Sequence, residues 1–252
     1  MLEVSGLFIY PVKSCAGLTL ARATLSPGGF ENDRRWMIVD DAGLFLTQRT
    51  WPRMCLIEVG LDGELLTLRF EGRAIEVPPA LRSGPLRSVR VWDDEVQARG
   101  AAPEVDRFLS DALGTSCHLV EDLGERRMPE KRRLPGAHDR VSFADAYPLL
   151  LLSEASLADL ASRVELPLRM NRFRPNVVIR GAHPFEEDEH SRLSIRAHRF
   201  FADKPCGRCT IVTVEQETAK SGKEPLATLA QYRRRGKDAM FGQNLRLSSQ
   251  IR

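Results

Sequence analysis

Two cysteines three positions apart, in Cys206-Gly207-Arg208-Cys209, are the residues of this sequence most suited to chemistry. A pair at that spacing serves zinc, a redox disulfide or a soft metal, and its surroundings discriminate. A structural zinc site takes four ligands, usually as two spaced pairs. There is no second CxxC, and His190 and His198 lack the usual H-x3–5-H spacing. A thioredoxin-like pair opens a helix, whereas Cys209 runs into the β-branched stretch Thr210-Ile211-Val212-Thr213-Val214, which predicts a strand over residues 210–215. Lys204 and Arg208 favour an accessible thiolate, a donor for a soft or high-valent metal rather than for magnesium or calcium. Burial as two small hydrophobes stays open as the alternative.

Cations on short loops form the second group of candidates. Pro11-Val12-Lys13-Ser14-Cys15-Ala16-Gly17 places an ammonium and a hydroxyl in a glycine-closed loop, a combination that offers donors to an anion. It is not a P-loop, since the GxxxxGK[ST] pattern is absent. In Asn171-Arg172-Phe173-Arg174-Pro175-Asn176 an arginine is braced by an aromatic ring and a proline, and its planar fork suits phosphate, carboxylate or a structural acid. Arg34 and Arg35 alternate along the start of a strand, so only one of them faces a given pocket. The loop Arg126–Arg133 and the run Arg233-Arg234-Arg235 read as solvated basic faces. Neither a GxSxG elbow nor a GxGxxG fingerprint occurs, which speaks against a serine hydrolase and a dinucleotide-dependent dehydrogenase.

Several short strands and a few helices must position these groups. The first hundred residues alternate strand-like runs with turn signals: 4–10, 18–25, 35–39, 44–47, the hairpin turns at Leu61–Glu64 and Phe70–Arg73, and the pair 89–92 and 96–98 around Asp93-Asp94-Glu95. After Gly100 the spacing predicts a helix over 103–113 stopped by Gly114, a strand over 117–120 and a helix opened by Ser153. Strands over 176–180, 193–201 and 210–215 and a helix from Pro225 to about Arg235 follow. The fold class is strand-rich α+β: a barrel-like sheet system over residues 1–100 and a second body over 101–252.

Composition narrows the setting. Lys and Arg number 37 against 34 Asp and Glu, a net +3 in 252 residues, which is too balanced for a dedicated nucleic-acid binder. The longest apolar run, around Leu149–Leu152, is far short of the roughly 18 residues of a membrane helix, and Met1–Ser5 lacks a basic n-region. With five cysteines, an odd number, a cytoplasmic chain without a disulfide framework is expected.

Read in order, the segments IYPVKSCAG (9–17), DRRWMIVD (33–40), FLTQR (45–49), PLLLLSEASLADL (148–160), FRPNVVIRG (173–181), CGRCTIVTVEQETA (206–219), KEPLATLAQYR (223–233) and FGQNL (241–245) resemble the MOSC-domain family. That family comprises molybdenum-cofactor proteins, including the mitochondrial amidoxime-reducing component and bacterial relatives. The resemblance implies an N-terminal β-barrel subdomain packed on a MOSC β-barrel domain with helices. It implies molybdenum held by a pterin dithiolene and one cysteine, Cys209 by motif position, with Lys13, Ser14, Arg34 and Arg174 toward the pterin and its phosphate and Asn176 nearby. It also implies reduction of N-hydroxylated compounds (hydroxylamines, N-hydroxylated nucleobases, amidoximes), with electrons from a separate flavoprotein or iron–sulfur donor. The ferredoxin ligand set C-x4-C-x2-C…C carried by some bacterial relatives has no counterpart here. The polar Thr-Ser pair that the family places before SEASLADL is Ala146-Tyr147. A non-catalytic carrier of cofactor or persulfide on Cys209 is the second function that these residues would serve, and a zinc-stabilised module the third.

Overall fold

A computed structural model describes residues 2–78, 84–128, 135 and 137–249 of the chain. Its frame is an eight-stranded sheet whose centre is the parallel pair Leu149–Ser153 and Val177–Arg180. Both strands are runs of Leu, Val and Ile, and their apolar residues are buried, as strands covered on two faces require. The sheet extends antiparallel through Asp238–Leu247, His198–Arg208 and Arg192–Ile195 on one side, with Arg234–Arg235 added to Asp238–Leu247. On the other side it extends through Glu3–Ile9 and Leu18–Leu20. The first strands of the chain are thus hydrogen-bonded into the sheet built by its last hundred residues.

The remaining strands form smaller sheets. Trp36–Val39, His118–Asp122, Asp94–Gly100 and Leu86–Val91 make four strands, and Glu58–Asp62, Leu65–Phe70 and Arg73–Val77 make three. Both predicted hairpin turns, at residues 61–64 and 70–73, connect these three strands. Leu25–Ser26 and Gly29–Phe30 close a further two-stranded ribbon, so the predicted run over 18–25 is interrupted in the middle. The large cluster packing this side includes Trp36, Ile38, Met54, Leu66, Leu68 and Leu109.

Three α-helices cover the sheets. Helix α1, Pro103–Leu113, ends at Gly114 in the left-handed region, as predicted. Helix α2, Glu154–Ala161, is capped by Ser153, whose hydroxyl accepts from Ser156 N at 3.0 Å. Helix α3, Leu226–Tyr232, is shorter than its predicted span, with Pro225 at its N-cap. Two predicted strands are corrected. Residues 193–201 belong to a hairpin, Arg192–Ile195 and His198–Arg208, whose turn carries Arg196 at φ 53°. Residues 210–213 form a 3-10 turn because the partner strand starts at Asp238, one residue beyond the Arg208–Ala239 pairing, and leaves no ladder to continue. The β-branched Val212 and Thr213 pack inward from that turn instead.

Candidate functional site

A cleft of about 380 Å3 opens where the loop 11–17, the segment 144–150 and the end of strand His198–Arg208 meet. Lys13, Ser14, Arg34, Arg174, Asn176 and Cys209 all line it. Backbone pairing gathers residues so far apart in sequence. Phe8 N donates to Asn176 O at 2.9 Å, Lys13 N to Trp36 O at 2.8 Å, and Arg34 N to Tyr10 O at 2.9 Å. Ser14 (φ 68°), Arg34 (φ 49°) and Arg174 (φ 56°) lie in the left-handed region, which costs a non-glycine residue on the order of 1 kcal/mol or more. Arg34 is held by its bond to Tyr10 O, and the turns at Ser14 and Arg174 are closed by Cys15 N to Val12 O and Arg174 N to Asn171 O, each 3.1 Å.

The ring of Tyr10 floors the cationic end. Gly17 makes room for it, since a Cβ there would come within 2.4 Å of Tyr10 Cε1. The phenol donates to Pro175 O at 3.1 Å, and burial pushes its pKa up to about 12. Arg34 and Arg174 lie 4.5 and 4.1 Å from the ring centroid. Arg34 is paired with Asp33 and donates to Asn176 Oδ1 at 3.1 Å. Asn176 is itself committed, donating to Phe8 O and accepting from Leu150 N, so it orients Arg34. Arg174 donates through Nη1 to Cys15 O at 2.7 Å, while its Nη2 is buried without a partner among the described residues. Burial, and next the charge of Arg34, lower its pKa to about 10. A buried guanidinium with an unfilled donor is built to receive an acceptor from outside the chain.

Lys13 is buried and donates to Phe143 O at 2.8 Å and to Asp145. Burial lowers its pKa and Asp145 opposes the shift. For Asp145, at the half-exposed cleft mouth, burial raises the pKa, but Lys13, Arg49 and the Trp92 indole outweigh it and bring the carboxyl to about 2. Trp92 Nε1 reaches Asp145 Oδ1 at 3.2 Å.

The thiols occupy the other end. Cys15, Cys55 and Cys117 are buried, and burial lifts them to about 12, 11 and 11, leaving them inert. Cys206 and Cys209 are only half-buried and line the cleft. Arg49 Nη1 stands 3.5 Å from Cys209 Sγ and Arg208 Nη1 3.4 Å from Cys206 Sγ. Among the described residues no three His, Cys, Asp or Glu side chains are grouped to hold a metal, so zinc would find only these two thiols. A thiol donor, adjacent cations and the orphaned Arg174 Nη2 do fit a metal carried on a phosphorylated organic ligand.

Arg49, Asp145 and Trp92 were not among the expected site residues. The sequence signals only that Arg49 ends the FLTQR segment; its contact with Cys209 spans 160 residues. Arg126, read as part of a solvated loop, is buried and donates to Ser142 O and Ala144 O, holding the segment that carries Asp145. Residues 129–134 of that loop lie outside the described residues.

Residues 1–116 match the model of the MOSC N-terminal beta barrel domain and residues 138–251 that of the MOSC domain. Over 91% of its length the chain is 35% identical to mitochondrial amidoxime-reducing component 1 of Mus musculus, spanning 71% of that protein. The chain belongs to the MOSC-domain family. Another MOSC relative, mitochondrial amidoxime-reducing component 1 of Homo sapiens, is 32% identical over 95% of the chain and 77% of its own length. Molybdenum cofactor sulfurase of Oryza sativa subsp. japonica is likewise 32% identical, over 96% of the chain but 32% of its own length. This MOSC family is molybdenum-cofactor-related, in keeping with a cleft that joins a thiol to phosphate-ready cations. Among the described residues no helix is long and apolar enough to cross a membrane.

Proposed function

We propose that this MOSC protein is a cytoplasmic, molybdenum-cofactor-dependent reductase of N-hydroxylated compounds, taking its electrons from a separate donor protein. The observation that carries the reading is one cleft holding both the half-buried Cys209 thiol, beside Arg49, and the unpartnered Nη2 of Arg174. Cys209 would hold the metal, and Lys13, Ser14, Arg34 and Arg174 the pterin and its phosphate. When bound, the cofactor supplies the two-electron chemistry by which R–NHOH, two electrons and two protons become R–NH2 and water. The chain binds and orients. Asn176 keeps Arg34 aimed into the cleft, the strand ladder fixes the approach to Cys209, and Asp145 stays a carboxylate at neutral pH and so holds Lys13 in place.

The sulfurase relatives favour a second reading, a non-catalytic carrier of cofactor or sulfur on the same Cys209. Metal analysis and steady-state reduction of a hydroxylaminopurine with a chemical donor separate the two. The reductase reading expects many turnovers without cofactor loss, abolished together with bound molybdenum in Cys209→Ser and retained in Cys206→Ser. Stoichiometric cofactor release with no turnover refutes it, and full molybdenum in Cys209→Ser refutes the ligand assignment.

A further inference from the structure

The cations that line the cleft divide by what they already hold. Arg34 is paired with Asp33 and the buried Lys13 reaches Asp145 toward the mouth, while Arg174 pairs with no carboxylate among the described residues. At the outer end Arg49, Lys204 and Arg208 have no carboxylate oxygen within 4.0 Å among the described residues. Asp238, on the same lining, packs beside Gly207 and pairs with none of them. Arg208 is largely committed, to Phe173 O at 2.6 Å and to Cys206. Arg49 is braced over the Trp92 ring at 4.6 Å, its fork reaches Cys209, and its charge also acts on the Asp145 carboxylate. Among the described residues the Lys204 ammonium makes no hydrogen bond; it stands 5.9 Å from the centroid of the cleft-lining Tyr147 ring, which Arg246 approaches at 5.4 Å. An aromatic ring next to an ammonium without a carboxylate partner, in the same cleft as a braced guanidinium, matches a flat base with an anionic tail.

We propose that Arg49 and Lys204, assisted by Arg208, bind a phosphate carried by the substrate, so that the preferred substrates are N-hydroxylated nucleotides and not the free bases. This rests on the reductase reading above. The base lies on Tyr147 with its N-hydroxyl group toward Cys209, and the phosphate meets Lys204 at the cleft mouth. The outer cations are thereby specificity-determining residues, separate from Lys13, Arg34 and Arg174 that serve the cofactor.

The test uses molybdenum-loaded protein, so that the inner cations are occupied. N-Hydroxycytidine and its monophosphate are compared as substrates, and the products cytidine and cytidine monophosphate are compared as ligands by calorimetry. A charge-assisted contact predicts about tenfold higher kcat/KM and affinity for the phosphorylated member of each pair at low salt. That preference is expected to shrink several-fold in Lys204→Gln and at high salt. Equal kcat/KM and equal affinity within each pair would overturn the proposal, as would a preference that Lys204→Gln and Arg49→Gln leave intact, which would mean that these cations only offset the thiolates. If neither hydroxylated compound is reduced, the reductase reading fails by itself, and the calorimetric preference still decides whether the phosphate site exists.

Discussion

Replacing Arg174 by Met should change the stability of the empty protein little, although it removes a buried arginine. The guanidinium is drawn down from its ordinary value to about 10, chiefly by burial and next by Arg34, which stands for roughly 3 kcal/mol against the charged form. Set against this is the bond to Cys15 O, worth about 1–3 kcal/mol when the donor is charged. Among the described residues no carboxylate pairs with Arg174; Asp33, whose charge acts on it, is taken by Arg34. The Tyr10 face, 4.1 Å from the guanidinium, adds about 0.5–2 kcal/mol on the same side, and the balance leaves the Arg174→Met apoprotein within about 2 kcal/mol of wild type, since methionine fills the space of the aliphatic stem. At about 2–4 °C per kcal/mol that is a change in Tm of no more than roughly 8 °C. The pH dependence follows from the lowered value: between about 10 and the ordinary guanidinium value the unfolded chain binds the extra proton, so wild-type stability rises relative to that of the variant as pH rises. Thermal unfolding of both apoproteins, with and without inorganic phosphate, is the assay. Wild type gains about 1.4 kcal/mol at ten times Kd, and the variant gains nothing. A variant that loses more than about 2 kcal/mol, or that responds to phosphate like wild type, would falsify the idea that this arginine is held ready for an external anion.

Two further outcomes follow from the same geometry. Asp145, held near 2 by Lys13, Arg49 and Trp92 against the opposing effect of burial, contributes stability above the ordinary carboxylate pKa and loses it as pH falls through 2. The Tm difference between wild type and Asp145→Asn should therefore be constant from neutral pH to about 5 and close toward about pH 2; a difference independent of pH would refute it. Phe241 is fully buried, with its ring centroid 4.6 Å from that of Phe173, the residue before Arg174. Phe241→Ala should cost about 3–5 kcal/mol and lower Tm on the order of 10 °C, and a loss under about 1 kcal/mol in denaturant titration would show that the cavity refills.

Much of the site was legible in the sequence because its residues carry local signatures. CGRC names a thiol pair, Lys13-Ser14 sits in a glycine-closed loop, and Arg174 is braced between Phe173 and Pro175. Only Arg34 of the pair Arg34 and Arg35 lines the cleft, and Arg35 turns to Glu121, but the left-handed turn at Arg34 ahead of the strand Trp36–Val39 separates them, not the strand alternation expected. Turn and cap chemistry likewise fixed the hairpins at residues 61–64 and 70–73 and the ends of α1, since these depend on neighbours within a few positions.

Other features were decided by pairing alone. The β-branched run after Cys209 has strand propensity but no partner strand beyond Asp238, so it turns, and Cys209 sits where the ladder ends. Nothing near Arg49 in the chain marks it as a cleft residue, or Trp92 as its brace; the hairpin that carries Trp92 and the segment that carries Asp145 meet only after folding. The sequence determined which groups can bind a metal and an anion, because donor type is a property of the residue. Which cations stay unpaired in that cleft, Arg174 at one end and Lys204 at the other, was settled by the tertiary structure. A guanidinium or ammonium is free only relative to the carboxylates that long-range packing does or does not bring beside it.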